Sequence, residues 1–212
     1  MQKFLPIFPL AMVAFPGEKL NLHVFEPRYK QLIRECIRDD KHFGIPVVHK
    51  KEIQEYGTEM RIQKIQQEYD NGEMDITVEG VQVFRVLDII NEVPDKLYSG
   101  AVVSMVSNIM DKHNRLFAEL RLLTDRLFTL LDIRDTIEKK DFVLQSFSIG
   151  HYVGFELEDE LELLRHPRES TRQKIIVEHI KKILPNVEQY AEIREKARMN
   201  GSFRLLKPPD GL

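Results

Sequence analysis

Cys36, His42 and His49 are the first residues whose types suggest chemistry, because thiolates and imidazoles are favoured zinc ligands. Their spacings, C-x5-H and H-x6-H, match no common zinc pattern. Cys36 also falls on the apolar stripe of a helix, where a thiol behaves as a small hydrophobe. No metal is expected. Ser146 and Ser148 lie in a helical pattern and not in a G-x-S-x-G elbow, so neither reads as a nucleophile. The carboxylates from Glu156 to Glu162 read as a solvated helix face with a favourable first turn, not as a paired acid and base. No two glycines are separated by a single residue, and no G-x-x-x-x-G-K-[ST] occurs, so dinucleotide and P-loop sites are ruled out. Gly150 and Gly154 form G-x-x-x-G, which in a polar-flanked helix permits close packing. The reading is a chain with no catalytic residue, no metal and no cofactor: not an enzyme.

The elements that would carry any other function change character midway. In the first half, Leu20, Leu22 and Val24 alternate with Asn21 and His23, the period-2 pattern of a half-buried strand. Asp70-Asn71-Gly72-Glu73 is a hairpin signal, with a type I′ turn expected between strands Thr58–Tyr69 and Met74–Glu79. Met60 and Ile62 are in phase and Ile65 is not, which predicts a β-bulge near Lys64. Gly80 is read as the break before a separate strand, Val81–Leu87, and a further strand covers Tyr98–Val106 beyond the linker Asn91–Lys96. One helix interrupts this half. Tyr29, Leu32, Ile33, Cys36 and Ile37 make its apolar stripe, Pro27 suits its first turn, and it ends near Arg38.

In the second half the period becomes helical. A helix is expected from Asn114 to Asp132, with Leu116, Leu120, Leu123, Leu127 and Leu130 on one face. Others are expected over Phe142–Tyr152 and Glu156–Leu164. Ser170 and Gln173 read as a capping box ahead of Ile176, Ile180, Ile183 and Leu184. Pro185 is expected to stop that helix, and Asn186–Met199 to form a last, polar one. The resulting fold class is α+β: a small β-barrel with one inserted helix over residues 1–108, a helical bundle over 109–199, and an irregular tail over 200–212.

The chain of 212 residues is 42% hydrophobic and 31% charged with a net charge of −3, the composition of a folded globule without a general positive field. Arg28, Lys30, Arg34 and Arg38 are interleaved with Glu35, Asp39 and Asp40, a mixed surface rather than a phosphate stripe. A single cysteine precludes an internal disulfide and suits a reducing cytoplasm. Pro6 and Pro9 interrupt the apolar N-terminus, which therefore reads as strand and not as a secretion signal. No membrane association is expected.

Leu5-Pro6-Ile7-Phe8-Pro9-Leu10, Phe15-Pro16-Gly17 and Leu20-Asn21-Leu22-His23-Val24-Phe25-Glu26-Pro27-Arg28-Tyr29 resemble the opening of the Lon protease N-terminal domain family. Phe43-Gly44-Ile45, Val78 to Val86, and Gly154 to Leu184 follow in the family's order, so the resemblance spans about residues 4 to 184. The Phe-Glu-Pro-Arg-Tyr run resembles the free-standing bacterial members. The resemblance implies that the barrel is PUA-like and that the chain binds a polypeptide, as an accessory to protein quality control or proteolysis. The ATPase and Ser–Lys peptidase domains of full Lon proteases are missing from this sequence, so proteolysis is not carried over. RNA binding through the barrel is the alternative. Pro16, His23 and Arg28 are the candidate polypeptide contacts, although turns, caps and core positions also account for most of this motif.

Overall fold

The computed structural model describes residues 2–111, 113–134 and 144–199. They group into two compact units: residues 2–111 with 145–172, and residues 113–134, 144 and 173–199.

The first unit is built on a six-stranded antiparallel sheet formed by β1 (Gln2–Pro6), β2 (Lys19–Val24), β3 (Phe43–His49), β4 (Glu52–Glu68), β5 (Met74–Ile90) and β6 (Gly100–Met105), in the order β1-β6-β5-β4-β3. β5 pairs with β4 on one side, and on the other with β2 along its first half and β6 along its second. The expected break at Gly80 is absent: β5 is one strand of 17 residues. Gly80 instead admits a close backbone approach, since a Cβ there would lie 2.3 Å from the Phe15 carbonyl oxygen. The ladder slips beside it, leaving Val81 unpaired and 42% exposed. The expected slip near Lys64 is present, with a register shift between Ile62 and Lys64 and another between Ile65 and Gln67.

The β4–β5 hairpin turns at Asp70–Gly72, but not by a type I′ turn. Gly72 alone has positive φ (75°), Gly72 N–H donates to Tyr69 O (2.8 Å) and Tyr69 N–H to Glu73 O (2.9 Å). This is the longer hairpin that closes a turn with a left-handed glycine. The barrel is not closed. Beyond β1 the chain meets β3 only through the parallel bridges Ile7↔Gly44 and Leu10↔Val47, and no ladder joins β1 to β3 among the described residues.

Helix α1 (Pro27–Arg38) starts with Pro27 in its first turn and ends where the sequence places it. Tyr29, Leu32, Ile33 and Cys36 are buried in one core cluster with Phe43, Ile45, Met60, Met74, Ile76 and Val78. Burying a side chain such as Leu32 or Ile33 stabilises the fold by about 1.5–3 kcal/mol. Ile37, counted in the stripe from the sequence, is 41% exposed at the helix end.

Residues 145–172, grouped with the helices in the sequence reading, belong to the sheet unit. Helix α2 (Asn114–Leu131) is in the second unit, while α3 (Ser146–Ile149), a 3-10 turn (Gly150–Tyr152) and α4 (Leu157–Arg165) lie in the first. The helix expected over Phe142–Tyr152 is therefore shorter, and its residues 142 and 143 lie outside the described residues. Phe147 stacks on Phe15 with ring centroids 5.3 Å apart, and a Cβ on Gly150 would come within 2.6 Å of the Phe15 ring, so the glycine does serve close packing. A buried polar lock completes the attachment. Arg172, 1% exposed, donates to Ser146 Oγ (2.8 Å), Asn108 Oδ1 (2.7 Å), His166 O (2.7 Å) and Glu169 Oε2 (2.8 Å).

Helix α5 (Glu169–Met199) differs from expectation twice. Ser170 is inside it, with N–H and Oγ donating to Asp111 (2.9 and 2.6 Å), rather than capping it with Gln173. Pro185 does not stop it. An exposed proline forfeits one helical hydrogen bond, and its orphaned carbonyl can be served by water. In the second unit, α2 and the part of α5 from Gln173 are joined by Lys181–Glu119 (2.6 Å) and Arg126–Glu188 ion pairs. These are the two long helices described there, fewer than the expected bundle. No helix among the described residues is long and apolar enough to cross a membrane. The expected tail, 200–212, lies outside them.

Candidate functional site

The motif from Phe15 to Tyr29 folds as a turn, the strand β2 and the start of α1, and its geometry leaves one edge of the sheet open. Gly17 (φ 84°) donates to Gly80 O (2.8 Å), and Gly80 N–H donates to Glu18 O (2.9 Å). This is a bulge with a left-handed glycine in its first position. Glu18 and Gly80 are therefore a hydrogen-bonded pair, and antiparallel ladders alternate bonded with non-bonded pairs. From the register Lys19↔Glu79 through Val24↔Met74, it follows that Leu20, Leu22 and Val24 exchange bonds with Val78, Ile76 and Met74. The N–H and C=O of Lys19, Asn21 and His23 then point the other way. None of these groups has a hydrogen-bond partner among the described residues.

This edge is regular over its whole length, in contrast to the twice-bulged β4 stretch beyond Met60. Lys19, Asn21 and His23 are exposed, Val24 is buried, and Leu20 and Leu22 are half-buried at the rim of the core. A regular edge with apolar residues along its inner face is a template for pairing with another chain.

The three sequence candidates distribute around this edge. His23 lies on it, with Nδ1 2.7 Å from Asp75 Oδ1 and Nε2 3.4 Å from Glu73 Oε2. The bond to Asp75, aided by both carboxylates, raises its pKa. Tyr69 OH also donates to Asp75 (2.7 Å), and the Asp75 carboxyl is held below its usual value by Tyr69 and His23. Pro16 precedes the strand at the approach of Gly80. Arg28 follows it in α1, paired with Glu26 at 2.7 Å and placed over the Tyr29 ring. Phe25, part of the motif but not among the sequence candidates, is 57% exposed, with its ring 6.0 Å from that of His23. The strand's own alternation signals this, because Phe25 continues the outward phase of Lys19, Asn21 and His23.

A second concavity lies elsewhere in this unit: a cleft of about 520 Å³ lined by Phe4, Cys36, His42, Glu59, Lys96 and Tyr98 among others, and by none of the three candidates. The carboxylates of Glu59 and Glu35 in it are already engaged. Glu59 Oε1 accepts from Lys3 Nζ (2.7 Å) and lies 2.7 Å from His42 Nδ1. Glu35 accepts from Tyr98 OH (2.5 Å), Lys96 Nζ (2.9 Å) and Gln31 Nε2 (3.1 Å); burial raises its pKa, but these bonds outweigh burial and hold it below the usual value. Of the trio weighed for a metal, Cys36 donates from Sγ to the His42 carbonyl (3.9 Å), while the side chains of His42 and His49 go to separate carboxylates. Cys36 is in the core with its thiol pushed up to about 12 by burial, His42 is on Glu59, and His49 stands 2.9 Å from Glu158.

The family model of the ATP-dependent protease La (LON) substrate-binding domain matches residues 4–182. The chain belongs to the Lon substrate-binding domain family. Two solved Lon N-terminal domains share its fold. The Lon N-terminal domain protein from Xanthomonas campestris is 24% identical, with a TM-score of 0.60 over 81% of this chain and 95% of that one. The N-terminal domain of the Mycobacterium avium complex Lon protease is 12% identical, with a TM-score of 0.65 over 84% and 98% respectively. The Lon-family match includes all of the open edge and its flanking residues, and the family's substrate-binding role makes this chain a substrate-recognition module.

Proposed function

We propose that this Lon-type domain is a non-catalytic, cytoplasmic module that captures segments of unfolded polypeptide and presents them to a separate protease or chaperone. The observation that carries the reading is the open β2 edge, bounded by Pro16 and Arg28, bearing His23 and followed by the exposed ring of Phe25. A backbone-lined edge suits a module that must accept many sequences, because main-chain hydrogen bonds supply affinity whatever the side chains are. In this reading the sheet unit, which is not a closed barrel, carries the PUA-like architecture that the resemblance implies. The net charge of −3 favours a polypeptide over RNA as the partner.

Fluorescence anisotropy of a labelled, reduced and carboxymethylated model protein tests the proposal. Saturable binding with a Kd on the order of 10 μM is expected for a short edge. No saturable binding, or equal binding by the folded form of the same protein, would refute it.

A further inference from the structure

The direction in which the backbone groups of β2 point specifies how a guest chain would sit, and from that what kind of segment it must be. Lys19, Asn21 and His23 each present an N–H and a C=O outward, while their side chains share the exposed face of the sheet. Leu20 and Leu22 point their side chains the other way, beside the core residues Val24, Ile76 and Val78, and remain half-exposed because no strand lies next to them. A strand added here gains hydrogen bonds at every second residue and apolar contact at the residues between. The neighbouring pairs in the sheet are antiparallel, and antiparallel pairing is the more stable per residue.

We propose that β2 takes an extended polypeptide segment with apolar residues at alternate positions, added as an antiparallel strand. The guest's polar residues stand opposite Lys19, Asn21 and His23 and make the backbone bonds, and its apolar residues cover Leu20 and Leu22. The proposal rests on the polypeptide-binding reading above and adds the mode and the pattern. The length is bounded too. Pro16 and Pro27 flank the strand, so the match covers about six residues, roughly 20 Å of extended chain. Segments of this kind are the buried strands of other proteins, which are exposed when those proteins unfold. Folded proteins hide both the alternating apolar face and the backbone groups.

The test uses the full chain and synthetic peptides alternating Thr and Val, labelled for anisotropy. In antiparallel addition the N–H groups that face β2 belong to the guest residues opposite Lys19, Asn21 and His23, the Thr positions. N-methylation at two Thr positions is expected to weaken binding at least about tenfold, since each methyl removes a hydrogen bond. N-methylation at two Val positions is expected to leave it within about twofold, because those groups face solvent. A peptide of the same composition with the valines contiguous is expected to bind more weakly than the alternating one. Asn21→Pro removes an outward N–H and places a ring against the guest, a change that edge strands tolerate, and is expected to abolish binding.

Equal loss from methylation of either set, or loss from the Val set alone, would overturn the proposal, as would retained binding by a folded Asn21→Pro. Should Asn21→Pro fail to fold, the methylated peptides decide on the unaltered chain. If the unfolded model protein binds while the peptides show no phase, strand addition is wrong and polypeptide recognition stands. If neither binds, the functional reading itself fails.

Discussion

Replacing Arg172 by Met should uncouple residues 145–172 from the sheet. The guanidinium is 1% exposed, donates to four acceptors, and lies 4.0 Å from the centroid of the Phe147 ring. Burial pulls its pKa down while Glu169 pulls it back up. Methionine fills much of the volume but removes the Arg172 charge that faces the Glu169 carboxylate, 3% exposed as a residue. Breaking a buried pair from one side costs about 3–5 kcal/mol. With an m-value of roughly 2–3 kcal/mol/M in urea for a chain of this size, the midpoint should fall by about 1–2.5 M, read by circular dichroism because the chain has no tryptophan. Glu169→Gln alone should also destabilise, since the carboxylate accepts from Ser146 N–H (2.9 Å) and Ser146 Oγ (2.5 Å). The double variant should lose less than the sum, by about 1–3 kcal/mol, because the Arg172–Glu169 pair is then removed from both sides. Arg172→Met within about 1 kcal/mol of the parent, or strict additivity in the cycle, would show that the cluster does not hold this segment.

Three further outcomes follow from the same structure. His151 lies 2.6 Å from Glu160 and 3.1 Å from Glu18; burial would lower its pKa, but these carboxylates outweigh it and hold it up to about 10. A raised folded pKa means that the stabilisation is complete below the unfolded value near 6.5 and fades as pH rises from there through about 10. Thermal melts should therefore show an alkaline decline across that window, and His151→Gln should flatten it; an unchanged decline would refute the assignment. Cys36, buried and with its thiol pushed up to about 12, should resist iodoacetamide at pH 8 and react at once in urea, as mass spectrometry would show; rapid labelling of the folded chain would contradict its burial. Gly57→Ala should cost about 1–3 kcal/mol or more, because the new Cβ would lie 2.4 Å from the Ile45 carbonyl oxygen, which the β3–β4 ladder holds in place, and a neutral melt would mean that the ladder gives way.

The strands and the first helix were legible because their signals are local. Leu20, Leu22 and Val24 alternate within one strand, Pro27 opens a helix whose stripe faces the core, and the phase slip around Lys64 marks its bulge. What failed depended on partners distant in sequence. Gly80 reads as a break until Phe15 is placed against it, and Ser170 reads as a cap until Asp111 takes its hydroxyl. Pro185 reads as a stop although a solvated helix face can absorb one lost bond. The attachment of 145–172 to the sheet depends on Arg172 meeting Asn108 and on Phe147 meeting Phe15, pairings that no local period encodes. For the candidate edge, His23 and its neighbours were within reach of the motif. The direction of their backbone groups was not, because it is fixed by the bonded pair of Glu18 with Gly80. The cleft beside Glu59 was equally hidden, since Lys3, His42 and Glu59 have no common spacing.

Amide hydrogen exchange on the intact chain, with and without a saturating unfolded polypeptide, most directly tests whether β2 receives the guest. The amides of Lys19, Asn21 and His23 should exchange rapidly in the free protein and slow by about tenfold or more when the polypeptide is added, while those of Leu20 and Leu22, already bonded to β5, change little. Binding that leaves the three outward amides as fast as before would place the contact surface elsewhere.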